Sequence, residues 1–174
     1  MQLWTRVLRA QPLSLALLPL AAAALLPVTV APVAVAQTPE IWVAQANETV
    51  AEELLRLVNV ERRRVNARPL ALSPQLTAAA QRHSQDMATS RRMSHTGSDG
   101  STMRSRIDDT QYRWSTIGEN VAMGQPNAAA VMSAWMNSPG HRQNILNPAF
   151  TELGIGYATG AGRPYWTQVF ARPR

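Results

Sequence analysis

The chain has 174 residues, 45% hydrophobic and 16% charged, enough for one packed domain and hardly two. It contains no cysteine, which excludes structural disulfides, a thiolate zinc site, an iron–sulfur cluster and a cysteine nucleophile. The net charge of +6 comes from arginine without any lysine, so P-loop and Schiff-base lysine chemistry are excluded too.

The N-terminus carries the parts of a secretory signal. Arg6 and Arg9 form a basic start, a Leu/Ala/Val run follows, and Ala34-Val35-Ala36 fits the small-residue cleavage rule. Residues 1–36 are expected to be the signal peptide, cleaved before Gln37, with Ala44-Gln45-Ala46 as a weaker site. The alternative is an uncleaved anchor, since residues 13–35 are long enough to span a bilayer. Pro19, Pro27 and Pro32 weigh against a regular helix through that stretch. Removing Arg6 and Arg9 from the 17 cations leaves 15 against 11 acids, a net of +4. Such a chain is expected to be secreted, extracellular or periplasmic. Nucleic acid is not an expected partner, because the arginines lack interleaved aromatics.

Residues 37–49, with Pro39 and several polar side chains, read as a linker, and residues 50–174 as the domain. Val50, Leu54, Leu57, Val58 and Val65 recur at helical spacing, with acids near the start, and Pro69 ends that helix. Arg62-Arg63-Arg64 reads as a solvated helix face. Ser73-Pro74 is an N-cap with proline at the first helical position. Leu76, Ala80, His83 and Met87 then share one face, which makes His83 a core histidine. A Ser/Thr/Gly loop over 90–100 leads to a short helix over 101–109, with Met103 and Ile107 inward and Asp99 as its cap.

Residues 117–123 read as a strand. Glu119 lies in its apolar register and needs a partner, because burying a lone carboxylate is costly. Residues 128–136 form a helix, and Ser138-Pro139 opens another. His141 falls in that helix's first turn, where the dipole lowers an imidazole pKa and favours the neutral, metal-binding form. Two strands, 153–158 and 165–171, close the chain. The second has large residues on both sides, as a strand between helical layers does. The pattern is α+β: an antiparallel sheet covered by helices.

His95 in the Gly/Ser loop, Glu119 in the strand and His141 at the helix start are the candidate site residues. Their spacing matches no local ligand motif. Two histidines and a carboxylate can bind zinc and leave one position open, or form a hydrogen-bonded cluster that orders a groove.

Four motifs occur in order: His95-Thr96-Gly97-Ser98-Asp99-Gly100, Gly118-Glu119-Asn120, Trp135-Met136-Asn137-Ser138-Pro139-Gly140-His141-Arg142 and Tyr165-Trp166-Thr167-Gln168-Val169-Phe170. Leu57-Val58-Asn59-Val60-Glu61-Arg62 and His83-Ser84-Gln85-Asp86-Met87-Ala88 precede them. Over about residues 50–172 this set resembles the bacterial branch of the CAP superfamily, the cysteine-rich secretory, antigen 5 and pathogenesis-related 1 proteins. The resemblance implies a three-layer α-β-α sandwich with a central, mainly antiparallel sheet and an open cleft. It also implies a cleft site of two histidines and two glutamates that holds zinc or another divalent cation. His95, Glu119 and His141 match three of the four. The second glutamate's place is Ser138, which leaves a 2-His-1-carboxylate metal set. The other motif residues have ordinary expected roles: Asn120 and Asn144 bond backbone rather than substrate, and Trp135, Trp166 and Phe170 belong to the core rather than to a binding platform.

Three functions follow as expectations. The first is a non-catalytic binding or cell-envelope module with a divalent-cation site, its partner a glycan, lipid or protein. The second is a metal-dependent hydrolase, a peptidase, with His95 and His141 on the metal and Glu119 as base or orienter. The third is lipid or sterol binding. A monomer is expected in each case.

Overall fold

The computed structural model describes residues 39–174; the expected signal peptide lies outside them. In chain order the elements are α1 (Pro39–Arg64), β1 (Ala71–Leu72), α2 (Pro74–Ser90), α3 (Met103–Asp108), β2 (Trp114–Met123), α4 (Ala128–Met136), α5 (Pro139–Leu146), β3 (Glu152–Gly160) and β4 (Arg163–Pro173). Helix α1 opens on a proline, which suits a first helical position. Residues 39–49, expected as linker, are therefore its first turns.

The sheet order is β1-β3-β4-β2. Strand β4 pairs antiparallel with β2 and β3, whereas β1 joins β3 in parallel. The sheet is thus mixed. With two residues, β1 is too short to show an alternating pattern in the sequence.

One helical layer, α1 with α4 and α5, packs Leu54, Val58, Trp135 and Ile145 against Leu153, Ile155, Trp166 and Phe170 of the sheet. The other, α2 with α3, packs Leu76, Ala80 and Ile107 against Val169 and Ala171. Buried on both faces over its middle, β4 is the sandwiched strand its residues imply. Trp135, Trp166 and Phe170 are core side chains.

Glycine sets the distance between α2 and β3. A Cβ on Gly154 would lie 2.1 Å from the Leu76 carbonyl carbon, and one on Gly156 would lie 2.2 Å from the Ala80 oxygen. The helix rests directly on bare strand backbone, which only glycine permits.

Two readings at the end of α1 change. The helix stops at Arg64, before Pro69; Asn66 takes φ 57°, and Val65 is exposed. Arg62 is fully buried rather than solvated. Its guanidinium donates to the carbonyls of Arg68 (2.7 Å), Ile145 (2.8 Å), Asn147 (2.9 Å) and Phe150 (3.2 Å). It ties α1 to the turn between α5 and β3.

Caps divide similarly. The Ser73 hydroxyl caps α2 by accepting from Leu76 N–H at 3.4 Å. Thr102, not Asp99, caps α3, through a capping box with Ser105. Asp99 instead accepts from Ser101 N–H within the preceding turn. Ser138 stands at the N-cap of α5 without a side-chain cap bond.

A candidate cleft site across the edge strand

Successive residues of a strand face opposite sides of the sheet. On edge strand β2, Glu119 therefore faces the α2/α3 layer, and Asn120 faces α5. The functional side chains are gathered from both layers around this edge.

On the first side, Glu119 is almost fully buried and doubly held. Its Oε1 accepts from His95 Nδ1–H at 2.8 Å, and its Oε2 accepts from Arg106 at 2.7 Å. Glu119 and Arg106 side chains are 3% and 1% exposed, whereas that of His95 is 61% exposed. Arg106 also donates to Ser101 O (3.0 Å) and His95 O (3.2 Å), so one guanidinium fixes the carboxylate and the loop around His95. Helix α2 holds the same loop at two points one turn apart. His83 Nε2–H donates to Ser94 O at 2.7 Å, and Asp86 accepts from the N–H and hydroxyl of Ser98. Gly100 makes the tight turn that closes the loop at φ 81°.

On the second side, Asn120 Nδ2 donates to His141 O and to Gln168 Oε1, both at 3.1 Å. Asn144 Nδ2 donates to Asn120 Oδ1 (2.9 Å) and Glu119 O (3.1 Å). The two asparagines bond backbone and each other, which fixes α5, the helix that bears His141.

The electrostatics follow. The Glu119 hydrogen bond raises the His95 pKa above the ordinary imidazole value, against an opposing effect of burial. Burial lowers that of His141, and the nearby charge of His95 acts in the same direction. The expected direction for His141 holds, but its causes are burial and His95. Burial also lowers the His83 pKa, with Glu119 the largest opposing influence.

Among the described residues, no three His, Asp or Glu side chains are placed to hold a metal ion together. Each oxygen of Glu119 already accepts one hydrogen bond. Its carboxylate stands behind His95, fixes the ring's tautomer and turns Nε2 outward. Arg106 was not singled out from the sequence; His83 was read as a core histidine, and Asp86 only as part of its motif. Arg106 was findable: it lies three residues after inward Met103 and beside inward Ile107, and a buried glutamate needs a cation.

An open pocket of about 480 Å³ lies on α4 and α5, lined by Met136, Asn137, Pro139, Arg142, Gln143 and Leu146 and by none of the site side chains. Its size falls in the range of small-ligand pockets.

A three-layer sandwich with two histidines brought round one edge strand defines the type of domain that the motifs resemble. The model of the cysteine-rich secretory protein family, CAP, matches residues 55–170, and the chain belongs to that family. The Bacillus subtilis protein YkwD is 36% identical over 119 residues, which are 68% of this chain and 46% of YkwD. The crystal structure of an extracellular protein containing a SCP domain from Bacillus anthracis is 31% identical at a TM-score of 0.70; the match covers 79% of this chain and 44% of that one. A cysteine-rich secretory protein from Staphylococcus aureus shares the fold at 23% identity and a TM-score of 0.61, covering 72% and 38%. The chain thus spans less than half the length of these three proteins. Among the described residues, no helix is long and apolar enough to cross a membrane.

Proposed function

We propose that this is a secreted or envelope-associated CAP domain that binds rather than catalyses, with its ligand site at the cleft formed by His95 and His141. One observation carries the reading. Glu119 orients His95 as a carboxylate orients the imidazole of a catalytic triad, yet among the described residues no hydroxyl is hydrogen-bonded to the outward nitrogen. The orienter and the imidazole are there without the nucleophile. What they supply is a rigid, exposed imidazole with a fixed tautomer, a recognition element. The extracellular and secretory relatives support the location. A divalent cation such as zinc would rest on His95 Nε2 and the His141 ring, with Glu119 outside its inner sphere. Lipid binding is the second reading, favoured by the apolar Met136, Pro139 and Leu146 of the pocket on α4 and α5.

The test is co-sedimentation of the purified protein with cell-wall glycan and with lipid vesicles, beside a peptide-hydrolysis panel. The reading predicts saturable binding to glycan, lost in His95→Ala and His141→Ala, and no turnover. Binding to vesicles alone, lost in Leu146→Arg, selects the lipid reading. Turnover abolished by Glu119→Gln in a folded protein overturns both.

A further inference from the structure

We propose that the end of the domain formed by the last turn of α2 and the β3–β4 hairpin docks on an anionic phospholipid surface. Arg91, Arg92 and Arg163 meet the headgroup phosphates, and Met93 enters the apolar boundary beneath them. This surface is separate from the cleft reading and does not rest on it.

The packing brings these residues to one place. A Cβ on Gly160 would lie 2.1 Å from the Ala88 oxygen, so the hairpin rests on the last turn of α2. Arg163 is the partner of Gly160 across the hairpin, and Ala161 (φ 48°) and Gly162 (φ 73°) make the two-residue turn between them. Arg91 is the C-cap of the same helix end, at φ 55°, and Arg92 and Met93 follow it. Beneath, Met87, Ala88, Val121 and Tyr165 form a small core that joins helix, hairpin and β2.

The three arginines are exposed, and among the described residues none of them has an ion pair. The segments 87–93, 121–125 and 158–165 contain no Asp or Glu. Asp86, the acid that precedes them on α2, is committed to Ser98. Met93 is 48% exposed, and only Val65 matches it among the large hydrophobic side chains described. A soluble polyanion would match the arginines and leave the methionine in water. A bilayer matches both, with phosphates at its surface and hydrocarbon just below.

Vesicle co-sedimentation tests this with the mature chain from Gln37, a compact unit of its own. The probes are vesicles of phosphatidylglycerol in phosphatidylcholine, and vesicles of phosphatidylcholine alone. The parent should bind the anionic vesicles and release from them in high salt; equal binding to both kinds overturns the proposal. An arginine near such a surface adds about fivefold to partitioning, so Arg91→Gln/Arg92→Gln/Arg163→Gln should bind about a hundredfold more weakly. Arg113→Gln/Arg172→Gln/Arg174→Gln removes the same charge at the other end of β4. Those cations stand about 30 Å away, beyond the screening length, and their loss should cost less than about fivefold. Equal losses in the two triple variants overturn the proposal, because net charge alone then explains the binding. Met93→Cys gives a second readout. The chain has no cysteine of its own, so an environment-sensitive dye reports that site alone. Its emission should shift to the blue on anionic vesicles, whereas a dye on Val65→Cys should not shift. An unshifted dye at residue 93 overturns the bilayer as occupant and leaves a soluble polyanion. Vesicle binding abolished by Leu146→Arg also overturns the proposal and assigns the lipid to the pocket on α4 and α5. The cleft reading is tested on glycan, so the two can fail separately.

Discussion

Gly156→Ala should wedge α2 off the sheet. The new Cβ would start 2.2 Å from the Ala80 oxygen, 1.2 Å short of the 3.4 Å at which ordinary contact begins. The obstacle is helix backbone, so no side chain can swing aside. Either α2 retreats by about that distance or β3 bows, and both loosen Leu76, Ala79 and Ala80 from the core. Overpacking costs about 1–3 kcal/mol, and a backbone obstacle belongs at the upper end. With a urea slope of about 2 kcal/mol per molar, a cost of about 3 kcal/mol lowers the unfolding midpoint by about 1.5 M. Gly140→Ala is the control, because a Cβ there meets open space within α5. It should raise the midpoint slightly, as alanine for glycine does in a helix. The Gly156 variant should also shift the amide resonances of residues 94–98, since the displaced helix carries His83 and Asp86. A midpoint within about 0.25 M of the parent, the equivalent of about 0.5 kcal/mol, would refute the close-approach argument.

Arg62→Met should cost about 3 kcal/mol, because the buried carbonyls of Ile145 and Phe150 lose their donor; Arg63→Met, on the exposed side, should stay within about 0.5 kcal/mol, both read by urea unfolding. Imidazole NMR should place the His95 pKa above the ordinary value and those of His83 and His141 below it, and Glu119→Gln should bring His95 down. The signs decide the acid behaviour. His83 and His141, with their lowered pKa values, take up protons more readily when unfolded, so they make stability fall as pH drops below the ordinary histidine value. His95 acts oppositely: its contribution is present at low pH and is lost as pH rises through its raised pKa. His95→Gln should therefore lose more stability than the parent between pH 7 and pH 5. An equal or smaller loss would contradict the assignment.

The elements were legible wherever composition and period agreed. Ser73-Pro74 and the apolar stripe of α2 define that helix, and the two-sided bulk of 165–171 gives a sandwiched strand. The cleft histidines were legible as motifs. What the sequence hid was partnership. Arg62 looks like its two neighbours in a charge run, and only the fold decides that one of three arginines turns inward. Glu119 announced the need for a partner but not which one. Arg106 answers it from a helix of six residues, and its guanidinium shares the carboxylate with the His95 ring. Gly154 and Gly156 carry no periodic signal, because their role is to leave room for another segment's backbone.

The sheet edges carry a further consequence. On β2 the outward carbonyls of Glu119 and Val121 accept from Asn144 (3.1 Å) and the Trp135 indole (3.4 Å). Beyond the short β1, the outer edge of β3 is met by Gln81, whose side-chain amide donates to Tyr157 O (2.9 Å) and accepts from Tyr157 N–H (3.0 Å). A single glutamine thus mimics one residue of an absent neighbouring strand. Unpaired edges invite main-chain pairing with other chains, and here side chains from three helices occupy those positions first. A peptide ligand of this domain would have to be read through its side chains, since strand addition is blocked at these points. Gln81→Ala or Asn144→Ala would open an edge, and self-association of an otherwise folded protein would be the visible result.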